Sequence, residues 1–140
     1  MTEKSFVDTN ILLYAHEESA GSKFLELQKL IESLWAERAV IISTQVLQEF
    51  TVSLQRKTLR KPSFLLLNTF IEDYSHWTMV VNDANACSRA LQVQERFGLS
   101  FWDSLIVQAA QFAVATVLYT EDLPHGQKYG SVRVVNPFKN

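Results

Sequence analysis

The chain is poor in cysteine, proline and glycine: its 140 residues include one cysteine, three prolines and four glycines. The single cysteine, Cys87, excludes an internal disulfide, and the low proline and glycine content excludes collagen-like and low-complexity chains. Apolar runs are far shorter than the roughly 20 residues that cross a bilayer, and none follows a basic start as in a signal peptide. We therefore expect a cytoplasmic protein that does not cross a membrane.

An excess of charge of one sign is also missing. Thirteen lysines and arginines stand against fifteen aspartates and glutamates, which leaves a net charge of −2. A general affinity for polyanions is therefore excluded, and any contact with nucleic acid must be local. Hydrophobic residues at 47% and charged residues at 20% are close to globular averages. Length and composition together indicate one folded domain over residues 1–140.

Short apolar strands alternate with amphipathic helical segments along the chain. Strands are predicted at 5–7, 39–43, 78–81, 116–120 and 132–135, with a loop at 124–130. A short helix capped by Asn10 is predicted first, followed by a helix over 22–38 and one from Ser43 or Thr44 to about Lys57. Three more helices are predicted: from Pro62 to Ser75, from a cap at 82–83 to Gly98, and over 100–112. Such alternation indicates right-handed βαβ units. The predicted fold is a three-layer α/β/α sandwich around a parallel sheet of four or five strands.

Four acidic residues directly follow predicted strands or lie in early turns of the helices beyond them: Asp8, Glu49, Asp103 and Asp122. In open α/β sheets ligands bind beyond the carboxyl ends of the strands, where these residues are expected to meet. Each also has a local alternative, since Asp8 suits an Asx turn, Asp103 a capping box after Ser100, and Asp122 an ordinary loop.

Glu49 is harder to explain locally. On a helical projection it lies between Val46 and Val52, at the edge of the apolar face, where a buried carboxylate is costly. We therefore expect it to have a partner inside the protein.

Clustered carboxylates require a counter-charge. Two of them about 4 Å apart repel by roughly 4 kcal/mol at an effective dielectric constant of 20. Apart from Lys4, no lysine or arginine closely flanks these positions, so a hard divalent cation, Mg²⁺ or Mn²⁺, is the simplest counter-charge. Histidines and cysteines do not cluster at ligand spacing, which argues against zinc.

Four segments around these acids carry a resemblance to a known family: residues 6–15 (FVDTNILLYA), 45–50 (QVLQEF), 99–106 (LSFWDSLI) and 118–126 (LYTEDLPHG). In order and spacing they resemble the PIN-domain ribonucleases, and more narrowly the VapC-type toxins of toxin–antitoxin pairs. The resemblance implies that Asp8, Glu49, Asp103 and Asp122 bind the metal. It also implies that Asn10 and Thr120 support the site through hydrogen bonds.

The fourth acid is ambiguous from the residues alone, because Glu121 and Asp122 are adjacent. The family pattern of threonine or serine, any residue, then aspartate implies Asp122. The implied activity is that of an endoribonuclease in which one or two Mg²⁺ ions activate a water for attack on a phosphodiester. The resemblance further implies a homodimer and an antitoxin whose tail occupies the acidic groove.

One basic cluster stands apart from the acids and comprises Arg56, Lys57, Arg60 and Lys61. It fits contact with RNA phosphates, and it fits a solvated helix end equally well. Trp102, beside Asp103, is expected in the core rather than at the site surface.

Two other classes of function are compatible with parts of the pattern. One is a PIN-fold module that binds RNA or protein without cleavage. The other is a Mg²⁺-binding receiver-like signalling domain, which needs a lysine after a late strand, and residues 120–122 offer none. A glycine-rich phosphate loop and a nucleophile elbow are both missing, so nucleotide binding and acyl transfer lack support.

Overall fold

Strands and helices alternate in the computed structural model, which describes residues 3–56 and 60–139. The strands of these residues are β1 (Ser5–Val7), β2 (Val40–Ser43), β3 (Thr78–Val80), β4 (Val117–Tyr119), β5 (Lys128–Tyr129) and β6 (Val132–Val135). The helices are α1 (Thr9–Tyr14), α2 (Ser22–Glu37), α3 (Thr44–Gln55), α4 (Phe64–Tyr74), α5 (Ala84–Phe97) and α6 (Phe101–Phe112), with a short 3₁₀ turn at Glu18–Ala20.

The strands form one sheet in the order β3-β2-β1-β4-β6-β5. Five strands are parallel, and β5 alone runs antiparallel, paired with β6. The predicted α/β fold with a parallel sheet is confirmed, but the sheet has an additional antiparallel edge strand inside the segment predicted as a loop. Two residues, Lys128 exposed and Tyr129 buried, are too few to show a strand periodicity in the sequence.

The connections place helices on both faces of the sheet. Helices α1 to α4 lie in the part of the chain that leads from β1 through β2 to β3, at one edge of the sheet. Helices α5 and α6 then connect β3 to β4, which lies on the other side of β1. Right-handed crossovers in opposite directions lie on opposite faces, which gives the three layers. The strand order therefore reverses between β1 and β4, and ligands in such sheets bind at this switch point.

The core lies on both sides of the central strands. Every residue of β1 and β2 is buried, as expected for strands covered on both faces. Phe6 and Ile41 of the sheet are buried together with Phe50 of α3, which packs against α1. Within the described residues, no helix combines the length and apolarity needed to span a bilayer.

Two predicted helix starts are wrong. Asp8, not Asn10, caps α1, because its Oδ1 accepts a hydrogen bond from Thr9 N at 2.7 Å. Helix α4 begins at Phe64 rather than at Pro62, because the Ser63 hydroxyl caps it. The predicted end of α3 at Lys57 lies outside the described residues; in them the helix ends at Gln55.

Candidate active site

Asp8 stands at the switch point of the sheet, directly after β1. Its side chain is 6% exposed, and both carboxylate oxygens are bonded. Oδ1 accepts from the backbone N of Thr9, and Oδ2 accepts from the Thr120 hydroxyl at 2.7 Å. Thr120 directly follows β4, which pairs with β1, so the ends of two neighbouring strands orient this carboxylate.

Burial raises the pKa of Asp8 from 3.8 to about 7. The charges of Asp122 and Glu49 add to this rise, whereas the hydrogen bonds from Thr120 and Thr9 oppose it. A carboxylate that is difficult to ionise at neutral pH, with further acids beside it, is an environment in which a cation is favoured.

Asp122 is joined to Asp8 through Thr120. The Thr120 hydroxyl donates to Asp8 and accepts from the backbone N of Asp122 at 3.0 Å. Asn10 Nδ2 lies 3.1 Å from each carboxylate oxygen of Asp122 and donates to them. Burial raises the pKa of Asp122, and the charges of Asp103 and Glu121 raise it further. Asn10 and Thr120, both predicted to support the site, thus contact its acids directly.

Glu121 has a different environment from its neighbour Asp122. Its Oε1 accepts a hydrogen bond from Tyr14 Oη at 2.6 Å, and its Oε2 lies 3.9 Å from Lys23 Nζ. That ammonium group also lies over the rings of Tyr14 and Phe138, at 4.9 and 4.6 Å from their centroids. Sequence reasoning missed Tyr14 and Lys23, because nothing local in the sequence links either residue to Glu121.

Glu49 and Asp103 are carried by helices rather than by strand ends. Glu49, on α3, is exposed and its Oε1 accepts from the Thr9 hydroxyl at 3.3 Å. Asp103 is half-buried in the first turn of α6, where its backbone N donates to the Ser100 hydroxyl. Glu49 thus lies at the exposed edge of the apolar face of α3, beside the exposed Val52, and the buried Thr9 is the partner expected for it.

The four acids form an electrostatically linked group but not a closed metal cage. The charges of Asp122 and Glu49 raise the pKa of Asp8, and the charge of Asp103 raises the pKa of Asp122. In residues 3–56 and 60–139, however, no three acidic, histidine or cysteine side chains are close enough together to hold an ion. The donors are all oxygens, which suits Mg²⁺ or Mn²⁺.

The predicted basic residues line a different surface. Arg56, Arg60 and Lys61 border a groove of about 1000 Å³ whose lining includes none of the four acids. Glu18 lines the same groove and its Oε2 lies 3.9 Å from Arg60 Nη1. The fourth basic residue, Lys57, lies outside the part of the chain that the structure describes.

Trp102 is not in the core. Its side chain is 66% exposed, so the expectation of burial is wrong. The residue lies in the first turn of α6, next to Asp103, and its backbone carbonyl accepts from Gln45 Nε2 at 3.4 Å.

The raised pKa of Asp8 predicts how stability depends on pH. Its folded pKa of about 7 lies above the ordinary 3.8, so the folded state holds this proton more tightly. Ionisation of Asp8 therefore subtracts stability as the pH rises from about 4 to 7, and the loss persists above pH 7. In EDTA, Asp8→Asn should be more stable than wild type by at most about 4 kcal/mol at pH 8, and by much less at pH 5. The substitution should not cost the cap of α1, because asparagine is also a preferred N-cap residue.

Urea unfolding of both proteins at the two pH values measures this difference. A constant difference between pH 5 and pH 8 would show that the pKa of Asp8 is not raised by folding.

Comparisons with known proteins agree with this fold. The PIN-domain family model matches residues 5–125. A toxin–antitoxin complex from Klebsiella pneumoniae has a similar structure, with a TM-score of 0.70 and 17% identity over 98% of this chain and 100% of the other. VapC20 of Mycobacterium tuberculosis, a sarcin-ricin loop cleaving toxin, has a TM-score of 0.65 and 18% identity over 85% of this chain and 90% of its own.

A third similar structure is VapBC2 of Rickettsia felis bound to a promoter DNA fragment. Its TM-score is 0.64, and it is 18% identical over 93% of this chain and 96% of that one. Identities this low establish a shared fold and nothing finer. No curated protein matches the chain in sequence.

Proposed function

Because this chain belongs to the PIN-domain family, we propose that it is a metal-dependent endoribonuclease, the toxin of a toxin–antitoxin pair. PIN domains are generally nucleases. One observation carries the proposal: Asp8 and Asp122 share the Thr120 hydroxyl at the sheet's switch point, with the charges of Glu49 and Asp103 close enough to act on them. The assignment of these four acids as metal ligands is part of the proposal.

The residues fit a hard divalent cation by their chemistry. Asp8, Glu49, Asp103 and Asp122 would hold one or two Mg²⁺ or Mn²⁺ ions, since all four offer carboxylate oxygens. When bound, such an ion lowers the pKa of water and neutralises charge that develops on a phosphodiester.

The chain's own contribution is to orient these carboxylates. Thr9 N and the Thr120 hydroxyl each occupy one lone pair on Asp8 and leave the others available. Asn10 holds Asp122 by both oxygens, which restricts rotation of that carboxylate. Glu49 and Asp103 approach from α3 and α6. Glu49 is exposed and Asp103 half-buried, so both can be reached by a phosphodiester arriving from solvent.

The proposed partners are an RNA substrate, a cognate antitoxin and a second copy of the chain in a cytoplasmic homodimer. Support for the antitoxin comes from the similar structures from Klebsiella pneumoniae and Rickettsia felis, both toxin–antitoxin assemblies. Arg56, Arg60 and Lys61 are proposed to contact RNA phosphates outside the acid site. Arg60 does so least, because Glu18 already lies beside it.

The second candidate is a PIN-fold module that binds RNA or protein without cleaving RNA. It is favoured by one observation, that the described acids do not form a closed group of three ligands. The receiver-like alternative has no support from the family match. Expression in a bacterial host followed by mapping of RNA ends, wild type against Asp8→Asn, separates a nuclease from a binding module.

Metal binding itself can be measured by thermal unfolding. We expect Mg²⁺ or Mn²⁺ to raise the melting temperature of wild type relative to EDTA, because a ligand of the folded state stabilises it. The rise should be smaller in Asp122→Asn, which lacks one charge of the site. Asp73→Asn, an exposed acid on α4, is the matched control and should keep the full rise. Equal rises in all three proteins would place metal binding elsewhere.

A further inference from the structure

Trp102 is the most exposed of the three tryptophans. Its side chain is 66% exposed, compared with 40% for Trp35 and 5% for Trp77. It immediately precedes Asp103, and consecutive Cα atoms are about 3.8 Å apart, so the indole starts beside a proposed metal ligand. A large aromatic surface left in water at this position needs an explanation, because burying it elsewhere would stabilise the fold.

The exposed ring is carried by a rigid turn. Ser100 caps α6 by accepting from Asp103 N at 3.1 Å, and Phe101 packs edge-on against the indole with ring centroids 5.6 Å apart. Gln45 of α3 donates to the carbonyl of Trp102. That amide is 7% exposed, and its Oε1 has no hydrogen-bond partner among the described residues, which is a cost in stability. The fold therefore tolerates an unsatisfied buried atom where it holds this turn.

Among the described residues, no lysine or arginine forms an ion pair with any of the four acids. Lys23, the cation paired beside Asp122, is already engaged by Glu121. Arg56 and Arg60 line a separate groove. Binding of RNA beside the proposed metal ion can therefore draw on contacts other than charged side chains. Stacking of a base on an aromatic side chain is such a contribution, and it is available only to an unpaired base.

We infer that Trp102 is a stacking platform for an unpaired nucleobase next to the scissile phosphodiester. This inference rests on the proposed ribonuclease function. Trp102 and Asp103 are consecutive residues of the first turn of α6, so we place the stacked base and the cleaved phosphate on neighbouring nucleotides.

The test pairs protein variants with modified RNA. The substrate is an unpaired oligoribonucleotide spanning the mapped cut site, with or without an abasic nucleotide on either side of the cut. Wild type should lose about tenfold in kcat/KM on the abasic RNA that removes the stacked base. Trp102→Ala should lose about tenfold on intact RNA, mainly through KM, and nothing further on abasic RNA. Trp102→Phe should restore most of the loss.

Phe112→Ala is the matched control. Phe112 is 60% exposed at the opposite end of the same helix, and its removal should leave KM unchanged. Because Trp102 is exposed, Trp102→Ala should melt at the wild-type temperature. Its effect on KM then cannot come from unfolding.

A binding measurement separates stacking from cleavage. In the Asp8→Asn background and in EDTA, a single-stranded oligoribonucleotide should quench tryptophan fluorescence, and Trp102→Phe should abolish the quenching. If wild type cleaves RNA but Trp102→Ala has the same KM and the same abasic sensitivity, the stacking inference is wrong and the nuclease proposal stands. If Trp102→Ala retains KM but escapes inhibition by the antitoxin, the indole contacts protein and the inference is also overturned. If wild type cleaves no RNA, the proposed function itself fails.

Discussion

Asp8→Asn is expected to abolish RNA cleavage and the growth arrest that cleavage causes. Asparagine keeps the shape of the side chain and its capping of α1, but it removes the charge and one of the two anionic oxygens of the most buried acid in the site. A lost metal ligand should lower kcat/KM by about three orders of magnitude, equivalent to several kcal/mol of transition-state stabilisation. Asp103→Asn should have a similar effect.

The measurement is cleavage of RNA by purified proteins together with growth after induction in a bacterial host. Asp73→Asn serves as the control, since it removes an exposed carboxylate on α4 and should behave as wild type. Far-UV circular dichroism should be the same for all of them, because Asp8→Asn preserves the helix cap. If both site variants remain as toxic as wild type, the four acids do not carry the activity.

Asp122→Ala is expected to lose Mg²⁺-dependent cleavage, whereas Glu121→Ala should retain most of it. The Asp122 carboxylate is bonded to Asn10 and its charge faces the other acids. Glu121 is bonded instead to Tyr14 and lies near Lys23. Removal of Glu121 costs one hydrogen bond and a partly exposed ion pair, about 1 kcal/mol of stability each at most.

Cleavage rate against Mg²⁺ concentration distinguishes the two variants. Asp122→Ala should show little rate at any Mg²⁺ concentration, and Glu121→Ala should follow the wild-type curve. Tyr14→Phe is a useful companion, because it removes the hydroxyl bonded to Glu121 but keeps the ring against Phe138. The reverse ranking of the two acids would transfer the role of ligand to Glu121.

Local signals were sufficient for most of the fold. The apolar runs of β1 and β2 indicated strands covered on both faces, and both strands are fully buried. Gly98, in a left-handed conformation, ends α5 at the predicted position. Such features depend on a few neighbouring residues and on periodicity, so they are visible in the sequence. The strand β5 was not visible, because its two residues are strand only through their pairing with β6.

The sequence was sufficient to propose which acids belong to the site, but not which side chains contact them. That the acids follow strand ends is a local property, and topology brings such ends together. The exposure of Glu49 and Trp102, and the engagement of Glu121 by Lys23, depend on helices packing across the molecule. Those arrangements arise from tertiary packing, which a single sequence does not display.

The order of the strands has a consequence for biosynthesis. Asp8 belongs to the first strand and meets Thr120 only after β4, 112 residues later in the chain, has paired with β1. Domains form as units while the ribosome extends the chain at about 5–20 residues per second. A nascent or prematurely terminated chain that ends before residue 120 therefore lacks both Thr120 and Asp122. It would leave the ribosome without a complete acid site, so we expect an incomplete chain to be inactive.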